Sequence, residues 1–176
     1  MTTLRTPRLV LETLTADEAR AIREGDRAGR RWAEDYPFEG DLLVAGVIGE
    51  AGEHYDESAP LGVLQVRLAA SGEAVGGIGF LWAPTEDGSV EVGYGFVPSA
   101  RGRGYATESL EAVLAHAERQ GLRTVVAMTA VDNVASQRVL ERCGFVRGET
   151  VDTEDEGPMI RWERSVREAT AQRSRG

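Results

Sequence analysis

Arg101-Gly102-Arg103-Gly104 is the stretch of the sequence best suited to bind an anion. The two glycines let the backbone turn sharply and bring bare amide groups close to a ligand. The two guanidinium groups carry fixed positive charge and donate paired hydrogen bonds to phosphate oxygens. The residues that follow have helical spacing, and the first amides of a helix are unpaired and partially positive. This combination of residue types predicts a diphosphate-binding turn.

A strand before the turn and a helix after it are needed to hold these residues in place. Residues 89–97 alternate small and β-favouring side chains and stop at Pro98, which predicts a strand. From Tyr105 onward, apolar residues recur at spacings of three and four, which predicts an amphipathic helix over about 105–120. The turn is therefore expected to join a strand to the amino terminus of a helix.

Two common diphosphate motifs do not fit the turn. A dinucleotide-binding fingerprint requires a third glycine where Thr107 stands, and a strand-first unit near the start of the chain. A P-loop requires a lysine, and the sequence contains none. The pattern that remains is Arg-x-x-Gly-x-Ala, formed by Arg101, Gly104 and Ala106.

The rest of the chain predicts further strands and helices around this unit. Thr15 and Glu18 have the spacing of a capping box, which predicts a helix that ends near Gly25 or Gly29. Further strands are predicted over 8–13, 61–68, 74–82, 124–128, 145–151 and 159–164. The strands at 61–68, 74–82 and 89–97 are expected to form an antiparallel meander. Residues 32–60 show no clear pattern.

A second informative stretch covers residues 132–145. Asn133 is a good helix N-cap, and Gly144 stands where the end of a helix favours a positive φ. Cys143 shares a helix face with smaller apolar residues, so we predict that it fills the core rather than acting as a nucleophile. His116, beside the apolar stripe of the preceding helix, is likewise expected to be structural.

Together these motifs resemble the GNAT superfamily of N-acetyltransferases. The turn at 101–106 resembles the acetyl-coenzyme A motif of that family, and residues 132–145 resemble its last helix. The opening residues 4–14, followed by a helix, resemble the branch that contains the ribosomal-protein N-terminal acetyltransferases. The resemblance implies an α/β fold, with a mixed, mostly antiparallel twisted sheet flanked by helices. We expect one domain over 4–164 and a disordered tail over 165–176.

The resemblance also implies the co-substrate and the residues that hold it. Acetyl-coenzyme A is expected to lie beside the strand at 89–97, with amides near Phe96 and Val97 polarising the thioester carbonyl. The implied binding residues are Phe96, Val97, Arg101, Gly102, Arg103, Gly104, Tyr105, Ala106, Thr107 and Asn133. No metal site is predicted.

Two catalytic residues follow from the same resemblance. Many relatives carry a tyrosine at the position of Leu140 that protonates the departing thiolate, and Leu140 has no hydroxyl group. The ribosomal branch has a serine at the position of Ser136, so the resemblance assigns that role to Ser136. Glu91 lies on the strand that lines the family's active site and is the expected base, acting through water. Glu108 matches a glutamate common in that branch and is expected to be structural.

The acceptor is expected to be a primary amine, which must lose a proton before it attacks. At pH 7 this costs about 1.4 kcal/mol for an α-amino group and about 4.6 kcal/mol for a lysine side chain, which favours a protein N-terminus.

Acidic segments at 34–57 and 150–157, with aromatic Trp32, Tyr36 and Phe38 interleaved in or beside the first, instead suit a small cationic amine such as an aminoglycoside or a polyamine. The same residues are equally expected as core anchors and solvated surface. A non-catalytic acyl-coenzyme A-binding module is a third interpretation, favoured if Leu140 marks lost chemistry.

Composition narrows the class of protein. With 176 residues, 41% hydrophobic and 28% charged, the chain has the composition of a soluble globular domain. The net charge of −9 argues against nucleic-acid binding and favours cationic partners. No apolar run approaches the ~20 residues that cross a bilayer, and the single cysteine fits a reducing compartment, so a cytoplasmic protein without membrane contact is expected. The resemblance also suggests a homodimer.

Overall fold

The fold consists of one large sheet with helices packed on it, in a computed structural model that describes residues 1–153 and 157–166. The strands are β1 (Thr3–Arg5), β2 (Leu9–Thr13), β3 (Val63–Leu68), β4 (Ala74–Phe80), β5 (Ser89–Phe96), β6 (Thr124–Ala130), β7 (Val146–Thr153) and β8 (Gly157–Ser165). The helices are α1 (Ala16–Glu24), α2 (Glu39–Ala51), α3 (Tyr105–Arg119) and α4 (Val134–Arg142). None of the helices in these described ranges is long and apolar enough to span a bilayer.

The strands lie in the order β1-β2-β3-β4-β5-β6-β8-β7. Neighbouring strands are antiparallel, except that β5 and β6 are parallel. The strands β3, β4 and β5 form the predicted antiparallel meander. The predicted α/β fold with a mixed, mostly antiparallel sheet is confirmed.

The parallel strands β5 and β6 separate along their length. They pair only where Ser89–Glu91 face Thr124–Val126. Beyond that point β5 continues to Phe96 alongside β4, and β6 continues to Ala130 alongside β8. Because the two strands follow different neighbours, a cleft opens between them in the middle of the sheet.

The two faces of β4 and β5 carry different side chains, since successive residues of a strand point to opposite faces. The register of this pair puts four glycines on one face: Gly77, Gly79, Gly93 and Gly95. The helix α2 lies over that face, where Oδ1 of Asp41 is 3.2 Å from the position that a Cβ on Gly77 would take. The other face carries Val92 and Tyr94, which line a cavity together with residues of α4.

The helix α1 begins and ends as predicted. The Thr15 hydroxyl accepts a hydrogen bond from the amide of Glu18 at 3.1 Å, and Gly25 ends the helix with a φ of 67°. The second half of the predicted capping box is wrong. The Glu18 carboxylate instead accepts from Nε1 of Trp32 at 2.6 Å and from Nε2 of Gln65 at 3.1 Å, so it joins α1 to the following loop and to β3.

In the second half of the chain, the residues that were predicted to be structural have structural roles in the fold. Asn133 caps α4 by accepting from an amide of its first turn at 3.1 Å, and Gly144 has a φ of 77°. Cys143 is buried in the core, where burial raises its pKa to about 11. His116 is also buried, and its Nε2 lies 2.6 Å from the carbonyl oxygen of Pro60, which accepts its hydrogen bond.

Glu108 ties α3 to the amino-terminal strands. Its carboxylate accepts from the Thr6 hydroxyl at 2.5 Å, from the Arg8 amide at 2.9 Å and from Nε of Arg8 at 2.6 Å. Burial alone would raise the pKa of Glu108, but the hydrogen bonds from Thr6 and Arg8 outweigh it and lower that pKa. These contacts give Glu108 the structural role that the sequence indicated.

Several bounds differ from the predicted ones. The sequence patterns do not predict β1 or α2. The strand β7 extends to Thr153, two residues beyond the predicted end at residue 151. Trp82 lies beyond the end of β4 and is exposed, whereas the predicted strand extended to residue 82. Residues 154–156 of the acidic segment and residues 167–176 of the tail lie outside the described residues.

Candidate active site

The turn between β5 and α3 has the geometry of an anion site. Gly102 and Gly104 have φ angles of 71° and 79°, in the left-handed region that glycine adopts readily. Gly104 is the N-cap of α3, and it supplies no side-chain cap. The amide of Glu108 donates to the carbonyl of Gly104 at 3.1 Å. The amides of residues 105–107 precede that first helical bond, so they are available at the helix start, where an anion is favoured.

The two arginines of the turn have different surroundings. Nε of Arg101 donates to the carbonyl of Phe96 at 3.0 Å, and its guanidinium lies 4.8 Å from the centre of the Phe38 ring. The carbonyl of Arg103 accepts from Nη1 of Arg8 at 2.8 Å, and the Arg103 residue is exposed. Arg101 therefore fastens the turn to the end of β5, while Arg103 presents its charge at the start of α3.

The backbone of β5 turns alternate amides toward the cleft. The amide of Val97 donates to the carbonyl of Val75 on β4 at 3.0 Å, so the expectation that it polarises a thioester is wrong. Residues of an antiparallel pair alternate between bonding to the partner strand and facing away from it. Because Val97 bonds to β4, the amides of Phe96 and Tyr94 face the side of β6. The amide of Phe96 therefore points in the direction that its predicted role requires, and the amide of Tyr94 points the same way.

The cleft between β5 and β6 holds a cavity of about 300 Å³. Its walls include Tyr94 from β5, Thr129 from β6 and Ser136 and Leu140 from α4, with Asn133 at the start of that helix. The hydroxyl oxygens of Ser136 and Tyr94 lie 2.8 Å apart and share a hydrogen bond that either group can donate. Two hydroxyl groups therefore meet in the cleft, beside the position at which Leu140 has none.

Tyr94 is a candidate site residue that the sequence patterns do not identify. It lies 42 positions before Ser136, so no local pattern relates the two. Burial raises the pKa of Tyr94 to about 12, which keeps its hydroxyl protonated at neutral pH. The available signal was its place on the strand beside the turn, but which side chain of that strand faces α4 depends on the sheet register.

A second cavity, also of about 300 Å³, lies between α2 and the glycine face of the sheet. Gly93 and Tyr94 line both cavities, so β5 separates them. Asp41 lines the second cavity and is only 8% exposed, and its Oδ2 accepts from the amide of Phe38 at 3.0 Å. Burial raises the pKa of Asp41 to about 6. A carboxylate is thus buried on the far side of β5 from the cleft.

Glu91 lies on the part of β5 that still pairs with β6. Its side chain is half-buried, and it is not among the residues that line either cavity. The role of Glu91 as a base acting through water therefore stays a prediction.

The aromatic and acidic wall expected after α1 is divided between the core and the second cavity. Trp32 and Tyr36 are buried, with their ring centres 5.4 Å apart. Tyr36 and Phe38 line the second cavity, and Trp32 does not. Of the acids in this segment, Asp41 reaches the cavity. The core-anchor interpretation therefore holds for Trp32, and the binding-wall interpretation keeps Phe38 and Asp41.

Comparison with known proteins identifies the family. A model described as an acetyltransferase (GNAT) domain matches residues 8–146. The uncharacterized N-acetyltransferase YjdG of Bacillus subtilis (strain 168) is 37% identical over 75 residues, which cover 42% of this chain and 45% of YjdG. The match thus spans less than half the length of that relative.

Solved structures share the fold. A GnaT-family acetyltransferase from Bordetella pertussis has a TM-score of 0.67 and 28% identity, over 93% of this chain and 99% of that chain. RimL, a ribosomal alpha-N-protein acetyltransferase solved in complex with coenzyme A, has a TM-score of 0.68 and 20% identity, over 93% of this chain and 98% of that chain. The second likeness concerns the fold alone. Because the family model spans most of the sequence, including the glycine turn and both strands of the cleft, the chain belongs to the GNAT acetyltransferase family, whose co-substrate is acetyl-coenzyme A.

Proposed function

We propose that the protein transfers the acetyl group of acetyl-coenzyme A to a primary amine, and that this amine is the α-amino group of a polypeptide. The observation that carries the proposal is the cleft between β5 and β6. The strand β5 on one side of this cleft leads to the uncapped start of α3, and the hydroxyl groups of Tyr94 and Ser136 meet inside the cleft.

The coenzyme would be held by the turn and the cleft together. The amides of residues 105–107 and the guanidinium of Arg103 suit its diphosphate, because they combine unpaired donors with positive charge. Arg101 fixes the turn through its bond to Phe96. Asn133 stands where the cleft meets α4, beside the path of the remaining arm.

The chain supplies groups for each stage of acetyl transfer. The amine nitrogen bonds to the thioester carbonyl carbon, and the amides of Phe96 and Tyr94 stabilise the negative charge on the carbonyl oxygen. The carbon–sulfur bond then breaks, and the hydroxyl pair of Ser136 and Tyr94 donates a proton to sulfur. The protonated amine loses one proton through water to Glu91 before it attacks, and its nitrogen loses a second as the amide forms, which replaces the proton given to sulfur. This pair supplies the donor that Leu140 lacks, which favours an enzyme over a non-catalytic binding module.

The α-amino group is the preferred acceptor because it is the cheaper one to deprotonate. A lysine side chain costs about 3 kcal/mol more than an α-amino group at pH 7, and this difference would require a strong or desolvated base next to the amine. Glu91 acts at a distance through water and suits the less basic amine. A small cationic amine is the second candidate. The acidic segment at 150–157 favours it, because Asp152 of that segment is exposed on β7.

A panel of acceptors tests the proposal. Coenzyme A release is measured with peptides bearing free N-termini, the same peptides with acetylated N-termini and an internal lysine, spermidine and an aminoglycoside. Release with the first group alone supports the proposal. Release with spermidine or the aminoglycoside instead supports the second candidate, and acetyl-coenzyme A binding without release on any acceptor supports a non-catalytic module.

Removing either hydroxyl of the cleft pair is expected to slow turnover moderately. Ser136→Ala and Tyr94→Phe should each lower kcat by about tenfold, because the thiolate, with a pKa near that of cysteine, is already a fair leaving group. The double variant should lose little more than either single variant, since both remove the same proton path. Steady-state kinetics would measure kcat for each variant, and the affinity for acetyl-coenzyme A should stay unchanged. Additive losses would show that the two hydroxyls act separately.

A further inference from the structure

The cavity under α2 is a built pocket rather than an accident of loose packing. Its floor consists of the four glycines on one face of β4 and β5, which leave that part of the sheet without side chains. At Gly95 an added Cβ would meet nothing within 4 Å, so the space beside this glycine is open. The helix side of the cavity carries Phe38, Leu43 and Val44.

The position of this cavity suits an acceptor. It shares Gly93 and Tyr94 with the coenzyme cleft, so only β5 stands between the two spaces. Leu43 is 71% exposed and lines the cavity, which places the cavity's entrance at the surface of α2. A ligand can therefore reach the strand from the side opposite the coenzyme.

Asp41 is the charged group of this cavity. Its Oδ2 accepts from the Phe38 amide at 3.0 Å, while Oδ1 faces Gly77 on the floor. Within residues 1–153 and 157–166, no arginine or histidine forms an ion pair with it. A buried carboxylate without a cation is costly, so a cation supplied by a ligand would be favoured there. Burial raises the pKa of Asp41 to about 6, which still leaves the carboxyl mostly ionised at neutral pH.

The other polar groups near Asp41 are already engaged. Nε2 of Gln65 donates to the Tyr36 hydroxyl at 2.9 Å and to Glu18 at 3.1 Å. Arg67 in turn donates to Glu18 at 3.3 Å, which neutralises charge on the side of α1 and β3. Asp41 is thus the one carboxylate that lines the cavity.

We propose, on the basis of the acetyltransferase function above, that Asp41 binds the amino group of the acceptor and that the cavity selects amines with a single positive charge and one apolar side chain. The N-terminal residue of a polypeptide with an apolar first side chain has this chemistry. A polyamine would bury a second ammonium group without a partner, and an aminoglycoside would bury several. A volume of about 300 Å³ is at the small end of ligand pockets, which fits one residue rather than an oligosaccharide.

Direct binding to the coenzyme-loaded protein tests the proposal without relying on turnover. Phenylalaninamide, glycinamide and spermidine are titrated into the coenzyme A complex by calorimetry. Phenylalaninamide should bind at least about tenfold more tightly than spermidine. Asp41→Asn should weaken phenylalaninamide binding by about 10- to 100-fold, as expected for the loss of a charged hydrogen bond, with acetyl-coenzyme A affinity unchanged. Glu39→Gln removes the same charge from the same turn of α2 at an exposed position and should change nothing.

A second variant covers the case in which Asp41→Asn fails to fold. Gly95→Val fills the open space from the sheet and should weaken phenylalaninamide more than glycinamide. Tighter binding of spermidine, equal binding by Asp41→Asn and wild type, or no binding of phenylalaninamide would each overturn the proposal. Binding that depends on Asp41 without acetyl transfer would sink the proposed function and leave this inference standing. Acetyl transfer that Asp41→Asn leaves unchanged would overturn this inference and leave the proposed function standing.

Discussion

Arg103→Glu is expected to weaken acetyl-coenzyme A binding by about a hundredfold. The substitution places a negative charge at the uncapped start of α3, where unpaired amides and the Arg103 guanidinium would otherwise meet the diphosphate. A unit charge about 6 Å from a phosphate contributes roughly 0.7–2.8 kcal/mol between the dielectric of water and that of a protein surface. A change of two units, reduced by salt screening, then gives about 2.7 kcal/mol, or two factors of ten.

Arg119→Glu is the matched control for this substitution. Arg119 ends the same helix and is exposed, and its replacement by glutamate changes the net charge by the same amount as Arg103→Glu. It lies about 21 Å from the helix start, since each helical residue rises about 1.5 Å, and that distance exceeds the screening length in physiological salt. Calorimetry should show an affinity within about twofold of wild type, and the penalty of Arg103→Glu should shrink as salt is raised. Equal losses in both variants would refute the anion site at the turn.

The features that the sequence predicted correctly are those encoded by neighbouring residues. The positive φ angles of Gly102 and Gly104, the cap at Asn133 and the end of α4 at Gly144 each depend on a residue type and its immediate context. The periodic spacing of apolar residues in α3 likewise indicates which face of the helix is buried. Such signals are local, so the turn and its flanking elements could be placed without the fold.

The helix α2 could not be predicted because its sequence lacks the local signals of a helix. Its apolar residues do not recur with a helical period, and it contains Gly40, Gly46 and Gly49. Its N-cap is Phe38, which is not a usual capping residue. Glycine is a weak helix former, so tertiary burial has to supply the stability of such a segment. Ala45 and Ile48 are buried in the fold and provide that contribution.

The site details that the sequence did not reveal all depend on register across the sheet. Whether Val97 or Phe96 offers its amide to the cleft is decided by the pairing of β5 with β4. The meeting of Tyr94 with Ser136 depends on how α4 packs on that strand. Asp41 appeared in the sequence as one of several acids, and only its burial against Gly77 distinguishes it.

Gly76→Ala is expected to destabilise the fold by about 3 kcal/mol or more. A Cβ at this position would clash with the carbonyl oxygen of Gly95 and would lie 3.0 Å from Cα of Phe96, and both are backbone atoms that a rotamer change cannot move. Overpacking of a well-packed interior typically costs about 1–3 kcal/mol, and a clash with backbone belongs at the upper end. The melting temperature should fall by roughly 6–12 °C for a chain of this length.

Gly95→Ala is the control, since it adds the same methyl group to the neighbouring position of the β4–β5 pair. Its Cβ would meet nothing within 4 Å, so its free energy of unfolding should stay within roughly 0.5 kcal/mol of wild type. Urea unfolding of both variants provides the comparison. Because β4 and β5 hold the coenzyme cleft on one side and the Asp41 cavity on the other, Gly76→Ala should also weaken acetyl-coenzyme A binding. Equal stability of the two alanine variants would mean that β4 and β5 can move apart at no cost in stability.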